Sequence, residues 1–399
     1  MSTVELAILG ATPAFEQPLP VGQLYFPEWS AYEEAMRGIF ERQYYTNQGP
    51  LTQQLEQVLQ ERLGVRHAIC VTNATIGLLM AADALGLRGK VITPAFSFIA
   101  TSQSLTWAGL EPLFCDVDPL THQLDPAQVE RLLEDEAVSA ILAVNLWGDV
   151  CAHDRLRQLA DRRGVPLYYD SAHAFGCAVA GRAVGNFGAI EVFSFHATKV
   201  LSAAEGGCVC TNDDELAARL RNIRSSYGAG RPVHVSRTAN GRMSEAQAAV
   251  ALLSLDNFPR IIERNQGIFA AYRDTLAGLP GLRLIEPQAV STTNYQYVVC
   301  EIDAERFGLS RDELQAVLRA ENVLARRYFY PGIHRCTPYD ERYPEAAERL
   351  PVTEALCAKV LQLPIGQPID AAGARRIGQI VRAAHEQAVS IRHSLGGPR

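Results

Sequence analysis

An aspartate and a lysine stand at the ends of two short apolar runs that have the composition of buried strands. The run VPLYYD ends in Asp170, and the run IEVFSF is followed by HATK, whose lysine is Lys199. Because ligands of α/β sheets bind beyond the carboxyl ends of the strands, we expect both side chains in one crevice. A pyridoxal cofactor needs a lysine that condenses with its aldehyde and an acid that keeps its ring nitrogen protonated. Taken singly, an aspartate that ends a strand often caps the next helix, and a lysine there is usually solvated.

The turn that follows the run HAICV is a candidate phosphate site. It reads Asn73-Ala74-Thr75 after Thr72 and opens a predicted helix. Free backbone N–H groups at a helix N-terminus favour a phosphate there. A simple N-cap by Thr72 or Asn73 explains the same residues.

Four further residues complete the predicted set of cofactor ligands. The Ser194 hydroxyl and the Asn240 amide can donate to the same phosphate. Phe98, just after the predicted strand KVIT, offers an aromatic face for the cofactor ring. His173 can hydrogen-bond the phenolic oxygen of the cofactor or pack against the ring. Each of the four also has an ordinary structural explanation, so the prediction depends on their coincidence at separate strand ends.

The elements that position these residues alternate along the chain. From about residue 50, helical periodicity and short apolar runs follow one another as far as the run GCVCTN. This alternation predicts an α/β fold with parallel strands and crossover helices. After about residue 256 the pattern predicts a smaller α+β domain, joined by a long amphipathic helix over residues 256–279. We therefore expect a large cofactor-binding domain with an N-terminal arm over residues 1–255 and a small C-terminal domain over residues 256–399.

Composition excludes several classes of protein. The 399 residues are 48% apolar and 20% charged, and no segment has the run of about 18 apolar residues that a membrane helix needs. A net charge of −7 without basic clusters argues against nucleic acid as a partner. Nine cysteines without C-x-x-C spacing suit a reducing compartment and neither a disulfide framework nor a zinc site. The first twenty residues lack the basic region of an export signal, so we expect a cytoplasmic protein. We expect no metal.

Eight ordered segments make the chain resemble the sugar aminotransferases of the DegT/DnrJ/EryC1/StrS family. They are YYTNQGPL (44–51), VTNATIGL (71–78), TPAFSFIAT (93–101), DSAHAFG (170–176), SFHATKVLSAAEGG (194–207), NGRMSEAQAA (240–249), NYQYVV (294–299) and ARRYFYPGIHRCTPY (325–339). The resemblance implies the aspartate aminotransferase type of fold, with a large, mixed, mostly parallel seven-stranded sheet and a small C-terminal domain. It also implies pyridoxal 5′-phosphate as the cofactor.

The resemblance further assigns roles within the cofactor site. Lys199 would bind the cofactor and later move the proton, Asp170 would pair with the ring nitrogen, and His173 with the ring hydroxyl. The residues that would surround the phosphate and the ring are Asn73, Ala74, Thr75, Ser194 and Phe98. Asn240 would reach the phosphate from the neighbouring subunit, which implies a homodimer with shared active sites.

For the substrate, the resemblance implies a nucleotide-linked keto-sugar and L-glutamate as the amino donor. Segments 194–199, 170–176 and 325–339 are most similar to the branch that acts at C4 of dTDP-4-keto-6-deoxyhexoses. The residues expected to line the sugar-nucleotide cleft are Tyr45, Asn47, Arg326, Tyr330 and His334, with Arg327 as a second candidate for the diphosphate.

Other functions stay open at this point. Amination at C3 is one alternative, and a non-transferring relative, either a dehydratase or a regulatory binding protein on the same fold, is another. Dehydratases of the family carry histidine in place of the lysine, so Lys199 disfavours that alternative. A nicotinamide enzyme is disfavoured because the segment VELAILGATPAF lacks G-x-G-x-x-G and is followed by further prolines.

Overall fold

The computed structural model describes residues 4–22, 24–225 and 231–396. The strands formed within these ranges are β1 Leu19–Pro20, β2 His67–Val71, β3 Lys90–Pro94, β4 Glu111–Cys115, β5 Val138–Val144, β6 Leu167–Asp170, β7 Ala178–Val179, β8 Arg182–Ala183, β9 Glu191–Ser194, β10 Gly207–Thr211, β11 Leu282–Leu284, β12 Val298–Ile302, β13 Val323–Leu324 and β14 Val360–Leu363.

The α-helices of the same ranges are numbered α1 to α16 in chain order. They are α1 Trp29–Arg42, α2 Pro50–Leu63, α3 Ala74–Ala84, α4 Ala100–Trp107, α5 Pro126–Leu132, α6 His153–Arg163, α7 Asp214–Arg224, α8 Glu245–Asp256, α9 Phe258–Leu276, α10 Ala304–Phe307, α11 Arg311–Ala320, α12 Tyr339–Arg342, α13 Ala346–Arg349, α14 Pro351–Lys359, α15 Ala371–Glu386 and α16 Ala388–Ser394. None of the helices in the described ranges is long and apolar enough to cross a membrane.

The large sheet has seven strands in the order β2-β10-β9-β6-β5-β3-β4. Strand β10 pairs antiparallel with β2 and β9, whereas β9, β6, β5, β3 and β4 pair in parallel. The predicted α/β fold with a mixed, mostly parallel seven-stranded sheet is therefore confirmed. The parallel strands end at one edge, which brings the segments after β6 and β9 together.

Alternate residues of the central strands belong to two apolar clusters, one on each face of the sheet. In β5, Ile141 and Ala143 pack in one cluster, and Ala140 and Leu142 pack in the other. Strands buried on both faces are continuous apolar runs. This burial explains why the sequence VSAILAV of β5 has almost no polar positions.

A second sheet, β11-β12-β14, is antiparallel and lies in the C-terminal part of the chain. Helices α9 and α15 pack against each other beside it. Helix α8 ends at Asp256 and α9 begins at Phe258, with Pro259 in the first turn of α9. The break between the two helices directly follows Asp256, where the small domain was predicted to begin. The domain boundary itself stays a prediction.

Two sequence predictions differ from the structure in this region. The helix predicted over TEALCAKVLQL ends at Lys359, because the four buried residues Val360–Leu363 pair with β12 as strand β14. The strand predicted over VLARRYFY is limited to Val323–Leu324. Beyond it, Arg326 pairs with Gln362 as an isolated bridge and the chain then turns.

Candidate active site

A cavity of about 430 Å³ lies at the strand ends of the large sheet, beside the start of helix α3. It brings together nine of the residues predicted from the sequence, namely Asn73, Ala74, Thr75, Phe98, Asp170, His173, Ser194, Lys199 and Arg326. The other six predicted residues do not line it in this chain; they are Tyr45, Asn47, Asn240, Arg327, Tyr330 and His334.

Asp170 is the last residue of β6 and is almost fully buried. Its Oδ2 accepts a hydrogen bond from the Thr101 hydroxyl at 2.8 Å, and its Oδ1 accepts one from the Ala172 N–H at 3.2 Å. Burial raises the pKa of the Asp170 carboxyl, while the hydrogen bond from Thr101 acts in the opposite direction. A cationic partner in the cavity, such as a protonated ring nitrogen, would stabilise the carboxylate.

Lys199 follows β9 in a short turn in which its backbone N–H donates to the carbonyl of His196. Its Nζ donates a hydrogen bond to the Tyr297 hydroxyl at 3.0 Å. Burial lowers the pKa of the Lys199 amine. The neutral, nucleophilic form is therefore populated at lower pH than for a solvated lysine.

His173 lies three residues after Asp170 and is buried. Its Nε2 is 2.9 Å from the Tyr297 hydroxyl, whereas its Nδ1 has no partner among the residues that the structure describes. Burial lowers the pKa of the imidazole well below its ordinary value, so the ring is neutral. A buried polar atom without a partner requires an explanation, and a bound ligand that reaches Nδ1 provides one.

The N-terminus of α3 offers backbone donors to the cavity. Asn73 is the N-cap, and its side chain accepts a hydrogen bond from the Ile76 N–H at 2.9 Å. Within the described ranges, the N–H groups of Ala74 and Thr75 have no acceptor. Such a pair of free amides suits a phosphate.

Two residues of neighbouring strands complete this cradle. The Ser194 hydroxyl accepts a hydrogen bond from the His196 N–H at 3.4 Å, which leaves its own proton for a ligand. A Cβ atom on Gly207 would lie 2.8 Å from the Ala74 nitrogen and 2.9 Å from the Phe193 carbonyl oxygen. Only a glycine allows β10 to pass this close to the start of α3.

Phe98 presents its ring at the cavity. The residue is 59% exposed and makes no ring contact with another aromatic residue in the described part of the chain. Its free face suits the stacking role predicted for it. The free face of Phe98, the unpaired Nδ1 of His173, the free amides of α3 and the buried Asp170 are together the groups that pyridoxal 5′-phosphate needs. The cavity therefore fits this cofactor.

Asn294 ties the loop after β6 to the second sheet. Its Nδ2 donates to the carbonyl oxygens of His173 and Phe175 at 2.9 and 3.0 Å, and its Oδ1 accepts from the Gln296 N–H at 3.0 Å. The side-chain amide thus takes the place of a strand partner for this loop.

No role was predicted from the sequence for Thr101, Asn294 or Tyr297. Thr101 lies in the first turn of helix α4, where its backbone N–H donates to the carbonyl of Phe98, and its closeness in the chain to Phe98 could have pointed to it. Tyr297 is 98 residues after Lys199 and precedes a strand of the other sheet, so no local spacing signals its position.

A second cavity of about 370 Å³ shares Arg326 and Tyr328 with the first. Its lining includes Arg319, Arg327 and Tyr330, and none of its lining residues is acidic. The Arg327 guanidinium lies over the Tyr330 ring at 4.4 Å. Three guanidinium groups and two aromatic rings make this cavity chemically suited to a phosphorylated, aromatic ligand.

The remaining predicted residues lie elsewhere. His334 is buried and its Nε2 is 2.6 Å from Glu354 Oε1. Tyr45 is exposed and packs edge-on against Phe40. Asn47 and Asn240 are exposed, and both have a positive φ, 63° and 49°. Their predicted roles in binding stay predictions.

Known aminotransferases resemble this chain in sequence and in structure. Residues 30–382 match the model of the DegT/DnrJ/EryC1/StrS aminotransferase family. A dTDP-4-amino-4,6-dideoxy-D-glucose transaminase of Shigella dysenteriae is 35% identical over 353 residues, which are 88% of this chain and 94% of that protein. A transaminase of the same name from Escherichia coli is 32% identical over the same shares of both chains. The crystal structure of DesI with its TDP-sugar product is 43% identical, with a TM-score of 0.90 over 97% of this chain and 98% of DesI.

Proposed function

The chain belongs to the DegT/DnrJ/EryC1/StrS aminotransferase family, and we propose that it transfers the amino group of L-glutamate to C4 of a dTDP-4-keto-6-deoxyhexose. The observation that carries this proposal is the cavity in which Lys199 and Asp170 lie beside the free amides of Ala74 and Thr75. The substrate is inferred from the relatives, which are dTDP-4-amino-4,6-dideoxy-D-glucose transaminases.

The cofactor of this aminotransferase is pyridoxal 5′-phosphate, which supplies an aldehyde to take up the amino group and a ring that withdraws electrons from the reacting carbon. Lys199 would bind it through Nζ, and Asp170 would hold the proton on its ring nitrogen. The amides of Ala74 and Thr75 and the Ser194 hydroxyl would hold the phosphate.

Lys199 also moves the proton. Once its amine is free, Nζ takes the proton that leaves the α carbon of glutamate, and in the second half-reaction Nζ takes part in delivering a proton to C4 of the sugar. The lowered pKa of the amine serves the first of these steps, because a base must be unprotonated before it accepts a proton.

The nucleotide half of the substrate belongs in the second cavity. Arg326, which lines both cavities, has no carboxylate within ion-pair distance in the described part of the chain. Arg327, by contrast, lies 3.4 Å from Asp312. A guanidinium free of acidic partners supports binding of the diphosphate by Arg326, and the exposed ring of Tyr330 supports a contact with the nucleoside.

A homodimer completes the site in this proposal. Asn240 is exposed and lies outside the cavity of its own chain, which is consistent with binding the phosphate of a second subunit. Trp29 and Phe40 of α1 are 71% and 69% exposed, and large exposed aromatic residues are typical of subunit interfaces. The exposed residues Tyr45 and Asn47 would line the sugar-nucleotide cleft of the assembled dimer, whereas the buried His334 would support that cleft from behind, through its contact with Glu354.

All nine cysteines are free thiols. A chain that keeps this many thiols reduced is suited to the cytoplasm, where we place the enzyme.

The decisive experiment has two stages. The absorption spectrum of the purified protein with pyridoxal 5′-phosphate is recorded before and after L-glutamate, and a visible band that disappears is expected. The converted enzyme is then mixed with dTDP-4-keto-6-deoxy-D-glucose or with the corresponding 3-keto sugar, and the products are identified by NMR.

Return of the band with the 4-keto sugar, together with a product aminated at C4, is the expected result. Return with the 3-keto sugar alone would move the site of amination to C3. A band that no amino donor changes would point instead to a relative that binds the cofactor without transferring an amino group.

A further inference from the structure

The Tyr297 hydroxyl lies between two groups of the candidate active site. It is 3.0 Å from Lys199 Nζ and 2.9 Å from His173 Nε2. Tyr297 immediately precedes β12 of the small sheet, whereas Lys199 and His173 follow strands of the large sheet. One hydroxyl group therefore connects residues from three distant parts of the chain.

We propose that Tyr297 is a positioning residue whose hydroxyl orients the free amine of Lys199 and directs the single proton of His173 to Nδ1. The inference rests on the proposed function in one respect, because the roles of Lys199 and His173, the two residues that Tyr297 positions, come from that function. Tyr297 itself lies outside the lining of the cavity and acts through these two neighbours.

The protonation states of Tyr297 and His173 support this arrangement. Burial raises the pKa of Tyr297 and lowers that of His173, so the pair consists of a phenol and a neutral imidazole. The Lys199 amine donates to the phenol oxygen, and the phenol proton is then donated to His173 Nε2. A neutral imidazole that accepts at Nε2 carries its proton on Nδ1.

This tautomer matches the unsatisfied atom of the site. Nδ1 of His173 is buried and has no partner among the described residues. With its proton on Nδ1, His173 is a donor to an oxygen atom of a bound ligand. The opposite tautomer would place a lone pair there and could not donate.

Packing holds the Tyr297 ring in the required place. The ring lies 4.2 Å from the His173 ring and edge-on to Trp147 at 5.4 Å. Trp147 is anchored in turn, because its Nε1 donates to His122 Nδ1 at 3.1 Å and His122 Nε2 is 2.6 Å from Glu301 Oε1. A hydroxyl on a ring locked by packing can orient its partners without moving away.

The test compares Tyr297→Phe, which removes the hydroxyl and keeps the ring, with Tyr295→Phe. Tyr295 lies in the same segment, packs against Phe269 at 5.5 Å, and its hydroxyl has no hydrogen bond in the described part of the chain. The first readout uses apoprotein with ¹⁵N-labelled histidine, in which the His173 signals are those absent from His173→Gln. We expect His173 to be protonated at Nδ1 in the wild type and in Tyr295→Phe, and to gain the Nε2-protonated form in Tyr297→Phe.

The second readout is a single turnover of the cofactor-loaded enzyme with L-glutamate. We expect Tyr297→Phe to lower the limiting rate by about 10- to 100-fold, the range for a displaced catalytic group, while the glutamate concentration at half-maximal rate changes much less. The Tyr295→Phe rate should equal that of the wild type.

Two results would overturn the inference. One is a wild-type apoprotein with His173 protonated at Nε2, and the other is a His173 spectrum that Tyr297→Phe leaves unchanged. Both measurements need no turnover, so they stand even if the wild-type enzyme fails to react with L-glutamate, which would contradict the proposed function instead.

Discussion

The hydroxyl of Thr101 donates a hydrogen bond of 2.8 Å to Asp170 Oδ2, and both residues are buried. Burial alone raises the pKa of the Asp170 carboxyl, and the Thr101 hydroxyl partly offsets that effect. The charge of the carboxylate that we propose for the cofactor ring thus depends on a neighbour in helix α4.

Replacement of Thr101 by valine, which is of similar shape, should raise the pKa of Asp170 further. Activity that requires the carboxylate is lost as the pH falls through its pKa, so the acidic limb of the pH–rate profile should move to higher pH. The measurement is the rate of the L-glutamate half-reaction as a function of pH. Thr106→Val, in the same helix but hydrogen-bonded to Tyr339, is the control, and an acidic limb at the wild-type position in Thr101→Val would contradict the prediction.

Lys199→Ala should lower the transamination rate by roughly 10²- to 10⁴-fold, as expected for loss of a general acid–base group. The visible band formed with pyridoxal 5′-phosphate should also be lost, since Nζ is the group that we propose binds the cofactor. Lys359→Ala provides the matched control, because this exposed lysine lies at the end of α14, far along the chain from the cavity residues. Wild-type turnover by a folded Lys199→Ala protein would refute the assigned role.

Ser194→Ala should weaken the binding of pyridoxal 5′-phosphate by about tenfold or more, because a hydrogen bond to a charged phosphate contributes roughly 1.5–3 kcal/mol. Equilibrium titration of the apoprotein measures the dissociation constant. The control is Ser139→Ala, since Ser139 lies in β5 and donates to the Lys90 carbonyl at 3.3 Å. An affinity equal to that of the control would remove Ser194 from the phosphate site.

The shared site of the proposed homodimer can be tested by combining two chains that carry different inactivating substitutions. If Asn240 serves the partner's cofactor, co-expressed Lys199→Ala and Asn240→Ala chains form heterodimers with one fully native site. Those heterodimers should bind cofactor and turn over more than either parent variant, as measured on species separated by two different affinity tags. Heterodimers no more active than Asn240→Ala homodimers would place Asn240 in the site of its own chain or in none.

The large sheet was predictable because its strands are buried on both faces and therefore leave continuous apolar runs such as that of β5. The segment after β13 was not, because Arg326, Arg327 and Tyr330 are polar or aromatic residues whose spacing fits a strand, while a bridge to Gln362 and a turn determine their structure. Strand β14 was not predicted either, because the helical pattern of the residues before it continues into its sequence. Its pairing with β12, which is distant in the chain, determines that it is a strand.

Within the site, residues that follow strands of the large sheet could be placed from the sequence, since parallel strands share one edge. Asp170, Lys199 and Ser194 are of this kind, and the cavity contains all three. Tyr297 could not be placed, because its position depends on how the small sheet packs against the large one. The role of Asn240 is a different case, since the surface proposed to accept it belongs to a second subunit, and the structure of one chain does not test it.

Asn294 donates to two carbonyl groups of the loop that carries His173 and accepts from the Gln296 N–H at the same time. Aspartate has the same shape but no donor, leucine has neither donor nor acceptor, and glutamine would carry its amide one methylene too far. Very few side chains can therefore occupy this position, although Asn294 does not line the cavity. In a library of substitutions, or among diverging relatives, position 294 should tolerate as little change as the residues that perform the chemistry.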